Sequence, residues 1–240
     1  MSEPRVTRRR PVVAIDGPAG AGKSTVTRLV ADELGYTRVD TGALYRAVAY
    51  VCLEQAVSWT DAERCGEVAA KLAGPGAMRL STSGPDTRVE VFGQDVSGSI
   101  RSLEMGQGAS IVSQHGPVRA ALLDIQRQLG SAGGVVLEGR DIGSVVFPDA
   151  EAKFFLTASA EVRAVRRRTE LLQKGEAPPL DQVLREVRER DQRDSTRPVA
   201  PLLQAPDAVL VDSSEQRIEQ VVQTIVSEVQ RVEQRLAGAG

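Results

Sequence analysis

Short apolar runs alternate with segments of helical periodicity along most of the chain. The runs that predict strands are Val12–Ile15, Tyr36–Val39, Val135–Leu137, Phe154–Leu156 and Ala208–Val211. Runs this short, separated by helical patterns, are typical of a parallel sheet whose strands are connected by helices. The pattern therefore predicts an α/β fold with a five-stranded parallel sheet flanked by helices.

Helical periodicity is clearest at the end of the chain. Ser213 and Gln216 have the spacing of a capping box there, and apolar positions then repeat at helical spacing: Ile218, Val221, Val222, Ile225, Val226, Val229, Val232 and Leu236. We expect this helix to pack one face against the sheet. Thr60 and Glu63 form a second capping box that predicts another helix start, and residues 23–34 and 44–51 predict two more helices.

Two segments interrupt the alternation. Residues 78–98 lack a helical period, and turn-forming residues at 83–86 separate the runs Met78–Thr82 and Arg88–Phe92, which predicts an antiparallel hairpin. Residues 163–179 are rich in arginine and end in a loop that contains Gly and Pro. This second segment is either a mobile lid or a plain solvated helical hairpin.

The composition narrows the class of protein. The 240-residue chain has 41% hydrophobic residues, 26% charged residues and a net charge of -2, which argues against the strongly basic balance of a general nucleic-acid binder. Only four of its 30 basic residues are lysines, and the others are arginines. Either genomic base composition or the bidentate binding of phosphates by arginine explains this bias.

Cys52, Cys65 and His115 are the only cysteines and the only histidine of the sequence. Two cysteines do not make a disulfide framework, and a single histidine argues against a His-based metal site or a Ser-His-Asp triad. We expect His115 to be a turn residue at a helix start. Residues 1–11 are basic and have no long apolar run, so we expect a disordered tail and a cytoplasmic protein.

The strongest motif is GPAGAGKS at residues 17–24, which matches GxxxxGK[ST]. It lies between a predicted strand and a predicted helix, the context in which this motif binds nucleoside triphosphates. Glycines let backbone N–H groups approach the phosphates, and the helix N-terminus favours negative charge. We expect Lys23 to reach the β- and γ-phosphates and the Ser24 hydroxyl to bind Mg²⁺.

A second group of polar residues follows other predicted strands. Asp40–Arg46 follows the second strand, Gly139–Gly143 follows the third, and Arg190, Asp194 and Arg197 lie at or just beyond a later helix. Ligands of open α/β sheets bind at the carboxyl ends of the strands. Each arginine alone is a typical surface residue, but their convergence predicts a site for the phosphate of an acceptor.

With these motifs the chain resembles the bacterial cytidylate kinases, a family of nucleoside monophosphate kinases. The resemblance runs from about residue 12 to the last helix and rests on IDGPAGAGK (15–23), DTGALYR (40–46), DVS (95–97), GRD (139–141), VVFPDA (145–150), ERD (189–191) and VAPL (199–202). Glu138 departs from the pattern of the family, in which Asp is also common at the position before the GRD motif. The resemblance implies a P-loop kinase core (12–60 and 106–238), a β-containing monophosphate-binding insert (61–105) and a lid (160–180).

The resemblance also implies roles for individual residues. It assigns the donor nucleotide to Gly17, Pro18, Ala19, Gly20, Ala21, Gly22, Lys23, Ser24 and Thr25, with Arg163, Arg166 and Arg167 closing over its phosphates. It assigns the acceptor phosphate to Arg46, Arg140 and Arg197, with Thr41, Arg190 and Asp194 beside it, and the cytosine to Ser110, Arg119 and Asp141. An alternative is that Asp141 only pairs with Arg140 and fixes the loop. Catalysis would rest on Lys23, Arg140, Arg166, Arg167 and Arg197.

The expected reaction is the Mg²⁺-dependent transfer of the γ-phosphoryl group of ATP to CMP or dCMP. One alternative is a kinase of another acceptor, such as UMP or shikimate. Another is a nucleotide-binding switch module, although the sequence lacks the Asn-Lys-x-Asp element that reads guanine. We expect a monomer that acts on small molecules and has no nucleic-acid or membrane partner.

Overall fold

The computed structural model describes residues 8–83, 86–173 and 175–238. The chain divides into two compact units: the first comprises residues 1–36 and 133–240, and the second comprises residues 37–132. The insert predicted at 61–105 falls within the second unit and the lid predicted at 160–180 within the first. Both boundaries stay predictions.

The described residues form eight strands and eight α-helices. The strands are β1 (Val12–Asp16), β2 (Thr37–Asp40), β3 (Met78–Ser83), β4 (Asp86–Val91), β5 (Gln94–Asp95), β6 (Val135–Gly139), β7 (Ala152–Thr157) and β8 (Val209–Asp212). The helices are α1 (Lys23–Leu34), α2 (Gly42–Glu54), α3 (Ala62–Ala73), α4 (Leu103–Val112), α5 (Gly116–Gly130), α6 (Ala160–Gln173), α7 (Leu180–Thr196) and α8 (Ile218–Gly238). None of the helices in these ranges is both long enough and apolar enough to cross a membrane.

The predicted five-stranded parallel sheet is confirmed, with the strand order β2-β6-β1-β7-β8. Strand β1 lies between β6 and β7, with Val13 opposite Val136 on one side and Ala152 on the other. All five residues of β1 are buried. A central parallel strand is covered on both faces, which explains why its sequence is apolar up to Asp16 rather than alternating.

The core of the first unit lies between the sheet and the helices α1 and α8. Val30, Phe154 and Ile225 are among its fully buried side chains, so the last helix docks one face as predicted. The capping box predicted at Ser213 and Gln216 is wrong. Helix α8 begins at Ile218, and the side chain of Gln220 accepts the N–H of Arg217. Ser213 is instead buried, and its hydroxyl contacts the carbonyl oxygen of Thr157.

The second unit contains α2–α5 and a small sheet of order β3-β4-β5. The predicted hairpin is confirmed, since β3 and β4 pair in antiparallel fashion with Leu80 opposite Val89. Strand β5 was not predicted, and Gly84 and Pro85 of the predicted turn lie outside the described residues. The capping box at Thr60 is wrong, because the Asp61 carboxylate accepts the N–H of Arg64 at the start of α3.

A polar contact joins the helices of the second unit around Trp59. Its indole N–H donates to the carbonyl oxygen of Ala49 over 2.9 Å, and its own carbonyl oxygen lies 2.7 Å from Nε2 of His115. A β-carbon at Gly108 would lie only 2.7 Å from the indole ring. His115 directly precedes α5, which confirms its prediction as a turn residue at a helix start.

The prediction of a disordered tail over residues 1–11 is wrong from Arg8 onward, while residues 1–7 lie outside the described part. Arg8 is 7% exposed and pairs with Asp149 and Glu151 at 2.9 and 3.0 Å. The guanidinium of Arg10 lies 4.1 Å from the centre of the Tyr36 ring. Carboxylates and a ring therefore bind arginines that the sequence suggested were solvated.

Candidate active site

The phosphate-binding motif forms the connection between β1 and α1. Gly17, Gly20 and Gly22 have φ values of 150°, 77° and 89°, in the region that favours glycine. A β-carbon at Gly17 would lie 1.9 Å from the carbonyl oxygen of Leu156. The motif therefore needs glycine for its backbone path, and the path ends at the N-terminus of α1.

Lys23 folds back over this loop. Its ammonium group donates to the carbonyl oxygens of Gly17 and Pro18, each at 2.7 Å. Burial, together with the charge of Arg140, lowers the pKa of this ammonium well below its ordinary value, although Glu138 acts in the opposite direction. An incoming phosphate would supply the negative charge that favours the protonated lysine.

Ser24 follows Lys23 on α1, and its hydroxyl donates to the Glu138 carboxylate over 2.8 Å. Glu138 is buried near the carboxyl end of β6, where it lies opposite Ile15 of β1. A hydroxyl and a carboxylate are the oxygen ligands that suit Mg²⁺, which usually keeps waters and phosphate oxygens as its other ligands. The sequence assigned no role to Glu138; its signal is an acidic residue at the end of an apolar strand.

Asp16 is a second acidic residue that the sequence did not single out. It ends β1, and its carboxylate accepts the N–H groups of Ile142 and Gly143, each at 2.8 Å. Burial raises the pKa of Asp16 from 3.8 to about 6, against the effect of these two hydrogen bonds, and the charge of Asp141 adds to the rise. The loop after β6 is thereby attached to the strand that precedes the phosphate-binding motif.

Two ion pairs join the loop after β6 to the end of α7. Arg140 donates to Asp194 over 3.0 Å, and Arg197 donates to Asp141 over 3.1 Å with both side chains less than a tenth exposed. Burial alone would raise the pKa of Asp194, but the charges of Arg140, Arg190 and Arg197 lower it below its ordinary value. These five predicted ligands therefore lie in one region of the first unit.

The alternative partner considered for Asp141 is wrong. The carboxylate of Asp141 binds Arg197, whereas Arg140 binds Asp194 and the carbonyl oxygen of its neighbour Gly139. Arg197 lies 56 positions away in the sequence, so an ion pair with the adjacent Arg140 was the simpler expectation.

The three arginines predicted to close over the donor have different surroundings. Arg163 is buried, binds Asp191 through both terminal nitrogens and donates to the carbonyl oxygen of Ala19 in the phosphate-binding motif. Arg166 binds the hydroxyl and carbonyl oxygens of Ser213. Arg167 pairs with Glu170 of its own helix over 3.0 Å. The first of them therefore supports the loop itself.

Thr41, Arg46, Ser110 and Arg119 lie in the second unit. Arg46 donates to Asp40 over 3.1 Å, Thr41 is buried, and the Arg119 guanidinium lies 5.5 Å from the centre of the Tyr45 ring. The buried hydroxyl of Ser110 has no hydrogen-bond partner among the described residues. A buried hydroxyl without such a partner indicates that a ligand or a water binds beside it.

Comparison with known proteins finds relatives along almost the whole chain. The family model described as "Cytidylate kinase" matches residues 13–231. A cytidylate kinase of Citrifermentans bemidjiense is 47% identical over 226 residues, which cover 94% of this chain and 94% of that protein. A cytidylate kinase of Pseudomonas aeruginosa is 47% identical over 221 residues, which cover 92% of this chain and 96% of that protein.

Proposed function

Because the chain belongs to the cytidylate kinase family, we propose that it transfers the γ-phosphoryl group of ATP to CMP or dCMP. The observation that carries this proposal is the phosphate-binding motif after β1, with Lys23 buried over it and Ser24 in contact with Glu138. A carboxylate beside the hydroxyl at the start of α1 is the arrangement that P-loop kinases use for a nucleotide with Mg²⁺.

The donor half of the reaction belongs to residues 17–25. Their N–H groups and the N-terminus of α1 bind the phosphates of ATP, and Lys23 exchanges its carbonyl partners for the β- and γ-phosphate oxygens. Ser24 and Glu138 would hold Mg²⁺, whose positive charge would offset the negative charge of the phosphates. Arg163, Arg166 and Arg167 close over the same phosphates.

The acceptor roles follow from the family to which the chain belongs. In the first unit, Arg140 and Arg197 bind the phosphate of CMP while Asp194 and Asp141 hold the two guanidinium groups in position. Arg46 is assigned to the same phosphate with Thr41 beside it, and Arg190 and Asp194 are assigned to the sugar and phosphate. The cytosine is read by Asp141, Arg119 and Ser110, whose hydroxyl has no other described partner.

The chemistry needs orientation more than acid-base groups. The acceptor is an ionised phosphate oxygen, so attack in line with the leaving group requires no strong general base. Lys23 and the arginines stabilise the negative charge on the transferring group. Closure of residues 160–180 excludes water and suppresses hydrolysis of ATP. We also propose that the protein is a cytoplasmic monomer that acts on small molecules only.

Release of ADP, measured with ATP and Mg²⁺ and one acceptor at a time, tests this function. We expect turnover with CMP and dCMP to exceed turnover with UMP, AMP and shikimate by at least about tenfold, the value of one good base contact. Preference for another acceptor would change the proposed substrate, although the protein would still be a kinase. Tight ATP binding without acceptor-dependent turnover would instead favour a switch module.

A further inference from the structure

Asp16 has a buried carboxylate to which the proposed reaction assigns no task. It is 5% exposed and directly precedes the phosphate-binding motif, yet both of its oxygens bind the backbone of another segment. Oδ1 accepts the N–H of Ile142 and Oδ2 the N–H of Gly143, each over 2.8 Å. One carboxylate therefore holds two consecutive peptide groups of another segment.

These two N–H groups open the single helical turn at Ile142–Val146. The first N–H groups of any helical turn have no partner within it and must find one elsewhere. Inside the turn, the N–H of Val145 and that of Val146 donate to the carbonyl oxygen of Asp141. Asp16 supplies the missing acceptors from a neighbouring strand, so it acts as a cap that the local sequence does not provide.

The backbone at this cap has little room to move. A β-carbon at Gly143 would lie 3.1 Å from Cδ of Lys153 and 3.5 Å from Oδ2 of Asp16. The two residues before the cap, Arg140 and Asp141, have side chains fixed by their ion pairs with Asp194 and Arg197. The ion pairs therefore hold the side chains of residues 140–141, and Asp16 holds the backbone of residues 142–143.

We propose that Asp16 is a positioning residue for the acceptor: it fixes the backbone of residues 142–143 and thereby the placement of Arg140 and Asp141. This inference rests on the proposed function, in which those two side chains bind the phosphate and the base. The charged groups that act on the Asp16 carboxylate are Asp141 and Lys23, and the aliphatic chain of Lys153 packs on Gly143 beside it. Burial raises the pKa of Asp16 to about 6, which is still below neutral pH, and the ionised carboxylate can accept both hydrogen bonds.

Asp16→Asn is the substitution that tests the inference. The amide keeps the shape of the side chain but offers one oxygen, so its NH₂ group faces one of the two backbone donors. A displaced reacting group costs about tenfold to a hundredfold in rate. We expect the KM for CMP to rise and kcat to fall by about this range together, while the KM for ATP changes less than about threefold.

Asp212→Asn is the matched control, since Asp212 also ends a sheet strand and accepts a backbone N–H, from Ser214. It should leave both KM values unchanged. A lower Tm of Asp16→Asn with unaltered KM and kcat for the folded fraction would show that Asp16 is merely structural and would overturn the inference. Gly143→Ala would crowd the Lys153 side chain and Oδ2 of Asp16 at the same place, and it should also raise the KM for CMP.

Amide hydrogen exchange separates this inference from the proposed function. In the wild-type protein the amides of Ile142 and Gly143 should exchange as slowly as those of β1, whichever acceptor is phosphorylated. Rapid exchange at both amides overturns the role of Asp16 even if CMP is the substrate. Absence of CMP phosphorylation with slow exchange overturns the proposed function, while the cap at residues 142–143 stands. If Asp16→Asn does not fold, this measurement still tests the cap, and the KM for CMP of Gly143→Ala tests the positioning of the acceptor.

Discussion

Replacing Asp141 by Asn removes a buried negative charge and keeps the size of the side chain. Two consequences are expected, because this carboxylate faces the Arg197 guanidinium and is also assigned to the base. The amino group of cytosine donates a hydrogen bond where uracil presents a carbonyl oxygen, and an ionised carboxylate can only accept. The Asn amide can donate as well, so the variant loses its preference for cytosine.

The two consequences have different magnitudes and affect different quantities. Asp141 and Arg197 are 3.1 Å apart with side chains 7% and 2% exposed, and removing one partner of a buried pair costs about 3–5 kcal/mol of stability. The retained amide oxygen of Asn places the expected loss near 3 kcal/mol. The base contact is worth about 1–3 kcal/mol, and only CMP loses it. Stability therefore falls for the protein as a whole, whereas the ratio of CMP to UMP turnover falls only if the base is read.

Steady-state kinetics with both acceptors at saturating ATP measures that ratio. We expect kcat/KM for CMP relative to UMP to fall about tenfold or more in Asp141→Asn. Arg197→Gln, which removes the other partner of the ion pair, is the control and should lower both activities together. A parallel loss of CMP and UMP activity in Asp141→Asn as well would mean that Asp141 only holds Arg197, and another residue would have to read cytosine.

Three further predictions concern the donor loop, the lid and pH. Lys23→Ala should cost about 3–4 kcal/mol of transition-state stabilisation, or a few hundred-fold in kcat, and near-normal turnover of a folded variant would contradict the assignment. Residues 163–179 should exchange their amide hydrogens more slowly with a bisubstrate analogue bound, whereas unchanged exchange would indicate a static helical hairpin. The raised pKa of Asp16 means that its contribution to stability is fully present below pH 3.8 and is lost as the pH rises through about 6. This loss amounts to about 3 kcal/mol of the free energy of unfolding. In urea unfolding from pH 4 to 7, that free energy should decline less in Asp16→Asn than in the wild type. An equal decline in both proteins would refute the raised pKa of Asp16.

The features that were predictable from the sequence are local ones. The apolar run of β1, the glycines after it and the periodicity of α8 lie in consecutive residues, so pattern and motif suffice to place them. The roles of Asp16 and Glu138 were not predicted because they depend on the register of β1 against β6, which no local pattern contains. The cap of α3 was misplaced by one residue because Thr60 and Asp61 both offer an oxygen to the first turn.

Long-range ion pairs account for the remaining differences. No local pattern predicted that Arg163 pairs with Asp191, 28 positions away, while its assignment to the donor phosphates stays a prediction. Arg8 was predicted in solvent and pairs with Asp149 and Glu151. In a chain with so many arginines and carboxylates, composition does not specify the pairing, since each guanidinium has several possible partners. Packing of the helices and strands selects one of them.

The position of Trp59 provides an optical label for one half of the molecule. It is the only tryptophan of the sequence, and it packs in the second unit against Gly108 with its indole N–H on the Ala49 carbonyl oxygen. Its fluorescence therefore follows the unfolding of residues 37–132, whereas far-ultraviolet circular dichroism follows the helices of both units. Coincident transitions would mean that the chain unfolds as one cooperative body, and separated transitions would assign a stability to each unit without any engineered probe.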